Sequence, residues 1–292
     1  MAPKDLLLAL VVIVVWGLNF VVIKVGLHDM PPMLLGALRF TLAAIPAVFF
    51  IRRPAVPLRW MLAYGLTISF GQFAFLFSAM NQGMPAGLAS LVLQSQAFFT
   101  LFFAAMFLGE RIRAANLLGL VMAAAGLFLI GSQGERGTTL TGFLLTIGAA
   151  SMWAMGNIVT RKVGKVNLVG LVVWGSLIPP LPFLAMSWFL EGPELIATSL
   201  RQFGWNSFLV LAYLAFGATI LGYGLWSRLL SRYPAGQVAP FSLLVPVIGL
   251  SSSALLLGEA LGPLQMAGAL LVMLGLLVNV FGGWLFGRLR LA

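Results

Sequence analysis

The 292 residues are 61% hydrophobic and 8% charged, with a mean hydropathy of +1.06 and a formal net charge of +10. Such a chain carries more apolar surface than one water-exposed core can hide, so a soluble globule is excluded and lipid is the expected solvent. The basic residues are spread over short segments instead of gathering on one face, which excludes a nucleic-acid footprint, and the lack of cysteine excludes disulfides, thiolate metal sites and thiol catalysis.

A helix crosses the hydrocarbon core with about 20 residues. Ten apolar stretches lie between charged or Pro/Gly breaks, near 5 to 26, 32 to 51, 59 to 80, 84 to 108, 114 to 132, 138 to 161, 166 to 190, 205 to 227, 234 to 257 and 263 to 286. The first follows Lys4, but it outruns a signal-peptide core and ends in no small-residue cleavage site, so it reads as a span. The long connection from Glu191 to Gly204, with Pro193 and then Leu195, Ile196, Leu200 and Phe203, suggests a turn and a piece of interfacial helix.

Orientation follows from the basic residues, which are retained on the cytoplasmic side. With the amino terminus inside, thirteen fall on inner segments: Lys4, Arg52, Arg53, Arg59, Arg111, Arg113, Arg161, Lys162, Lys165, Arg228, Arg232, Arg288 and Arg290. Only Arg136 and Arg201 fall on outer ones. The expected topology has both termini in the cytoplasm.

The chain also repeats itself. Asn19-Phe-Val-Val-Ile-Lys-Val-Gly26 returns as Asn157-Ile-Val-Thr-Arg-Lys-Val-Gly164, an offset of 138. Leu62-Ala-Tyr64, Pro85-Ala-Gly and Leu108-Gly-Glu return as Leu211-Ala-Tyr213, Pro234-Ala-Gly and Leu257-Gly-Glu at an offset of 149, which holds through Gly119/Gly268 and Gly126/Gly275. One insertion of 11 residues, in the region of the long connection, reconciles the two offsets. Five spans per copy is an odd number, so the second copy must enter the bilayer upside down. The expected fold is therefore an all-α integral membrane protein, ten transmembrane helices arranged as two inverted five-helix repeats, 1–132 and 138–292, around a central cavity.

Trp16-Gly-Leu-Asn-Phe-Val-Val-Ile-Lys24, Leu38-Arg39-Phe40, Gly83-Met-Pro-Ala-Gly-Leu-Ala-Ser90 and Leu108-Gly-Glu-Arg111 resemble the EamA-type branch of the drug/metabolite transporter superfamily. Ala212-Tyr-Leu-Ala215, Gly222-Tyr-Gly224 and Val238-Ala-Pro-Phe-Ser-Leu-Leu-Val-Pro246 extend the resemblance to the second half. It implies a ten-helix exporter of amino acids and related metabolites in the bacterial inner membrane. The first half looks most like exporters of cysteine and O-acetylserine, and similar proteins handle aromatic and other amino acids. No cofactor or metal is implied.

A side-chain amide in hydrocarbon lacks hydrogen-bond partners, so one placed mid-span points to a partner helix or a wet cavity. Asn19, Gln72, Gln94, Gln96 and Asn157 are such residues. Together, amides offer donors and acceptors for the carboxylate and ammonium of a zwitterion; helix-to-helix bonding is the alternative use. Gln94 and Gln96, ~200° apart around a regular helix, are not expected to share a face, so at most one should line the cavity. Trp16 with Asn19, and Trp153 with Asn157, stand three and four residues apart, which sets ring and amide on one face in repeat-related spans. Ser69, Gln72 and Phe75 form a similar stripe on the third span, expected to face Phe98 on the fourth and Tyr223 on the eighth, with core filling as the bland alternative.

Pro240 and Pro246 on the ninth span, and Pro179, Pro180 and Pro182 on the seventh, remove backbone donors and free carbonyls that must be satisfied elsewhere. They are candidate hinges, as are Gly222 and Gly224 beside Tyr223. Gly119, Ala123, Gly126, Gly268 and Gly275 read as a small-residue packing face, serving a scaffold or a homodimer seam through the fifth and tenth spans. Lys24 can snorkel to headgroups, whereas Arg39 lies too deep to do so easily and is a candidate for gating or for attracting a substrate carboxylate. The acidic residues Asp5, Asp29, Glu110, Glu135, Glu191, Glu194 and Glu259 all map to termini or loops, with Glu110 and Glu259 expected to cap the helices that follow them. Without a mid-span carboxylate for a proton relay, export by alternating access is expected to proceed down the substrate gradient or by exchange. A multidrug or lipophilic-metabolite exporter of the same fold is the rival reading. An enzyme is disfavoured by the lack of any nucleophile, base or metal cluster, and a channel by the lack of a symmetric charge ring or carbonyl filter.

Overall fold

The computed structural model describes residues 1–132, 138–164 and 166–289; Glu135, Arg136, Lys165 and Arg290, named above, lie outside them. Its helices are α1 (Pro3–Asp29), α2 (Pro32–Val48), α3 (Leu58–Asn81), α4 (Ala86–Leu108), α5 (Ala114–Gly131), α6 (Leu140–Val163), α7 (Leu168–Glu191), α8 (Pro193–Arg201), α9 (Trp205–Arg232), α10 (Ala239–Leu257) and α11 (Pro263–Leu289). Among the described residues nine are long and apolar enough to cross a membrane. The tenth apolar stretch, α2, is expected to run to residue 51 but stops at Val48, two residues past Pro46, whose missing N–H weakens the last turn. The short α8 occupies the long connection, with Leu195 and Leu200 exposed.

Proline opens α1, α2, α8 and α11 in the first turn, where its absent N–H would have had no partner. Gly109 and Gly258 close α4 and α10 in the left-handed conformation, at φ 68° and 66°. These two glycines are repeat equivalents, and the irregular turns follow the same rule. A π-helical stretch at Gly65–Gly71 in α3 is matched by Tyr213–Leu221 in α9, and a 3-10 stretch at Leu93–Ser95 in α4 by Ala239–Leu244 in α10. Such departures from the α-helix mark places where backbone groups are released for other partners.

Packing comes in exchangeable pairs. α1 packs on α10 as α6 packs on α4, and α3 packs on α6 as α9 packs on α1; α2 meets α7, α4 meets α10 and α5 meets α11. The last of these contacts is built on glycine. A Cβ placed on Gly275 would stand 2.5 Å from the carbonyl oxygen of Gly119, and one on Gly126 would stand 2.5 Å from that of Gly268. The early residue of one helix meets the late residue of the other, so these equivalent helices run antiparallel. The small-residue face is thus spent within the chain, and it leaves no room for the homodimer seam that was the other expectation for it.

Candidate functional site

A cavity of about 400 Å³ lies between the two halves. Its wall takes Trp16 and Asn19 from α1, Arg39 from α2, Gln72 from α3, Gln94 and Gln96 from α4, Trp153 and Asn157 from α6, and Tyr223 from α9. Ser69, Phe75 and Phe98 are not in that wall. The π-helical stretch immediately before Gln72 breaks the regular stripe, so Ser69 is buried elsewhere; Phe75 lies in the regular helix that follows, about 60° around from Gln72 and past the edge of the wall formed by Gln72, Phe73 and Leu76, and stands over Gly148 of α6. Phe98 faces the other way, into a separate apolar pocket among α4, α5 and α6. Both Gln94 and Gln96 line the main cavity, contrary to expectation. The 3-10 turn at Leu93–Ser95 advances about 120° per residue, which brings the two side chains closer in azimuth than a regular α-helix allows. Tyr64, Phe73, Thr160, Trp226 and Ser242 also contribute. Trp226 was readable from its spacing of three after Tyr223, and Thr160 from its spacing of three after Asn157; Tyr64, Phe73 and Ser242 carry no such mark.

The polar groups divide into those that hold the protein together and those that have nothing to hold. Trp16 Nε1 donates to the carbonyl of Ala218 at 3.0 Å, an oxygen within the π-helical stretch of α9, and its ring stands 5.2 Å from Tyr223 and 5.3 Å from Trp226. That indole also fills the space over Gly222, so this glycine permits a close approach, whereas a Cβ on Gly224 would meet nothing. Pro246 removes the N–H that would have bonded the carbonyl of Ser242, and Gln94 Nε2 donates to that oxygen at 3.1 Å. Pro240 stands in the 3-10 turn just before it. Asn157 Nδ2 donates to Gln96 Oε1 at 2.9 Å and to Thr100 Oγ1 at 3.1 Å. Asn19 is the repeat equivalent of Asn157, but the positions equivalent to Gln96 and Thr100 are Val245 and Gly249. Asn19 Oδ1 is accordingly buried without a partner, and so is Gln72 Oε1.

Stability should report this division. Asn157→Ala removes two interhelical bonds and is expected to cost about 1 kcal/mol, lowering the melting temperature of the detergent-solubilised protein. Asn19→Ala should leave that temperature almost unchanged.

Arg39 is 2% exposed. Its Nη2 donates to Thr219 Oγ1 at 3.3 Å, its Nε and Nη1 have no partner, and the guanidinium lies 4.1 Å from the Phe73 ring centre. Lys24 does not snorkel but donates to the carbonyl of Met80 at 2.9 Å, at the end of α3.

The two ends of the molecule differ. Thr160, Leu168 and Leu230 extend the cavity toward the end that carries Arg161 and Arg232. At that end Arg161 and Glu110 form a half-exposed ion pair at 2.8 Å, and Asp5 accepts from Arg232 and from the Tyr233 hydroxyl. At the opposite end, carboxylates tie helix starts. Glu259 accepts from the N–H groups of Ala86 and Gly87 at 2.8 and 2.9 Å, and Glu191 from those of Met33 and Leu34 at 2.6 and 3.2 Å. Glu110 and Glu259 therefore do not cap the helices that follow them. The left-handed glycine before each turns the carboxylate away, and at the start of α5 it is Asn116 Oδ1 that accepts from the backbone N–H of Arg113, at 3.1 Å.

The profile of the EamA-like transporter family matches residues 4–132 and 140–281. A protein of Salmonella typhimurium named a probable amino-acid metabolite efflux pump is 56% identical over 288 residues, covering 97% of this chain and 96% of its own. Its counterpart of the same name in Escherichia coli K12 is 54% identical with the same coverage. A solved protein structure superposes with a TM-score of 0.62 at 22% identity, over 95% of this chain and 96% of that one, which shows a shared fold.

Proposed function

We propose that this chain, which belongs to the EamA-like transporter family, exports amino acids and related small metabolites across the bacterial inner membrane by alternating access. The observation that carries this reading is the cavity between the repeat-related helices, walled by indoles and amides, extended toward the basic end and tied shut by Glu259 and Glu191 at the other. Basic loops are retained in the cytoplasm, so the conformation described is the inward-facing one, with both termini inside. The substrate enters from the cytoplasm and leaves after the halves exchange roles.

Two inverted halves, 1–132 and 138–292, make that exchange nearly neutral in energy. The antiparallel seam of α5 and α11 and the paired π and 3-10 stretches support them. Glu110 is the repeat equivalent of Glu259, and Pro234-Ala-Gly that of Pro85-Ala-Gly. In the outward-facing state Glu259 releases the start of α4, and Glu110 leaves Arg161 to take the backbone N–H groups of Ala235 and Gly236. Among the described residues the cavity wall contains no Asp or Glu, so transport runs down the substrate gradient or by exchange; a stoichiometric proton flux in proteoliposomes would contradict this.

The test is counterflow of radiolabelled amino acids in proteoliposomes, set against dye efflux from the same vesicles. Amino-acid counterflow without dye efflux is expected. The reverse would favour a lipophilic-solute exporter, the reading for which the aromatic share of the wall speaks. Asn19→Ala and Gln72→Ala should each lower amino-acid counterflow about 3- to 10-fold, the value of one lost hydrogen bond.

A further inference from the structure

The geometry points to Arg39 as the receptor for the carboxylate of the transported solute, which makes a free α-carboxylate the group this transporter requires; this rests on the export reading above. A guanidinium is never discharged in a protein and is expensive to bury in a membrane protein, so one without a counter-ion calls for an explanation. Arg39 is such a group. Its neighbours are one hydroxyl and the faces of Phe73, Phe40 and Phe77, at 4.1, 5.4 and 6.0 Å. Among the described residues no acidic one shares the cavity, and the facing span α7 carries no Asp, Glu, Lys or Arg between Leu168 and Leu190. Nε and Nη1 have no partner, and Nη2 keeps a second N–H beside the one given to Thr219, so a carboxylate can be gripped with both oxygens across Nη2 and either of the unpartnered nitrogens.

The complementary half of the ligand is provided for in the same wall. Asn19 Oδ1 and Gln72 Oε1 are acceptors without donors, and the indole and phenol faces of Trp16 and Tyr223 attract a cation. Neutral acceptors and rings hold an ammonium without holding it so firmly that it cannot leave. An α-amino acid thus spans from the cation on α2 to the amides on α1 and α3, its carboxylate recognised by charge and its ammonium by dipoles. The carboxylate contact is the discriminating one, because it pairs two full charges through charge-assisted hydrogen bonds, whereas the ammonium meets only neutral dipoles and ring faces.

The experiment compares matched probes on the purified wild-type protein: L-amino acids, their primary amides, which keep the ammonium and lose the carboxylate charge, and their N-acetyl derivatives, which do the reverse. Thermal stabilisation in detergent reads binding, and counterflow reads transport. Amino acids and N-acetyl amino acids should stabilise the wild type at concentrations about 10- to 100-fold below those needed by the amides, the range of a charged hydrogen bond. In Arg39→Gln the acids should fall to the level of the amides while the amides do not change, and Arg39→Lys should keep part of the difference. Equal binding of acids and amides to the wild type, which needs no variant to fold, would overturn the assignment. So would a preference for acids that persists in Arg39→Gln. Wild-type protein that binds carboxylates through Arg39 yet shows no amino-acid counterflow would uphold the receptor and remove the export reading.

Discussion

Gly275→Val is expected to prevent folded protein from accumulating in the membrane, and Gly126→Val to do the same. At both positions a Cβ would stand 2.5 Å from a backbone carbonyl and 2.8 Å from a backbone nitrogen of the facing helix, and a backbone cannot rotate out of the way as a side chain does. In lipid, association has no hydrophobic drive to fall back on; α5 and α11 are held by close packing and by the Asn116–Asn279 amide bond at 2.6 Å. Parting the helices enough to admit valine should cost about 3 kcal/mol or more. The check is the yield of monodisperse protein after extraction, beside Gly224→Ala, where a Cβ meets nothing within 4 Å and no loss is expected. Full yield from Gly275→Val would mean that the seam is not where the fold is held.

Glu259→Gln should tip the protein toward the outward-facing conformation. The carboxylate joins the turn after α10 to the start of α4 through two charge-assisted bonds, at the positive end of a helix, and closes the end away from the basic loops. Replacing charged by neutral acceptors should weaken the tie by about 1.5 to 3 kcal/mol, which raises the ratio of outward to inward states about 10- to 100-fold. The chain has no cysteine, so one introduced thiol reports cleanly. Cysteine at Ser90, buried in the wall below the tie, should react faster with an impermeant maleimide from outside in the Glu259→Gln background. Cysteine at Thr160, near the basic end, should react more slowly from inside. If both rates rise, the substitution has merely loosened the fold; if neither changes, Glu259 is a cap and not a latch.

Much of this was legible in the residues. Hydropathy and the spacing of Pro, Gly and charge placed the spans, because a helix in lipid must bond its own backbone and needs a set length. Trp16 with Asn19, and Trp153 with Asn157, all reach the cavity wall because α1 and α6 are regular there and helical spacing holds. Phe75, in a regular helix, stands about 60° around from Gln72 and past the edge of the wall, while helical spacing itself breaks at Ser69, Gln94 and Gln96, each in or beside a π or 3-10 stretch, where the residues per turn change. Propensity does not announce such stretches; tertiary partners decide them.

Composition and distance along the chain were enough to set the solvent, the number and order of the apolar stretches, the duplication and the lack of acid in mid-span. Only the tertiary structure decided how identical signals are used. Asn157 is bonded across to α4 while its equivalent Asn19 is left open, Glu259 ties two helices while Glu110 faces Arg161, and the glycine stripe is consumed inside one chain. The reason is that a hydrogen bond or a close approach belongs to two groups, and which second group stands opposite is set by helices that lie far apart in the sequence.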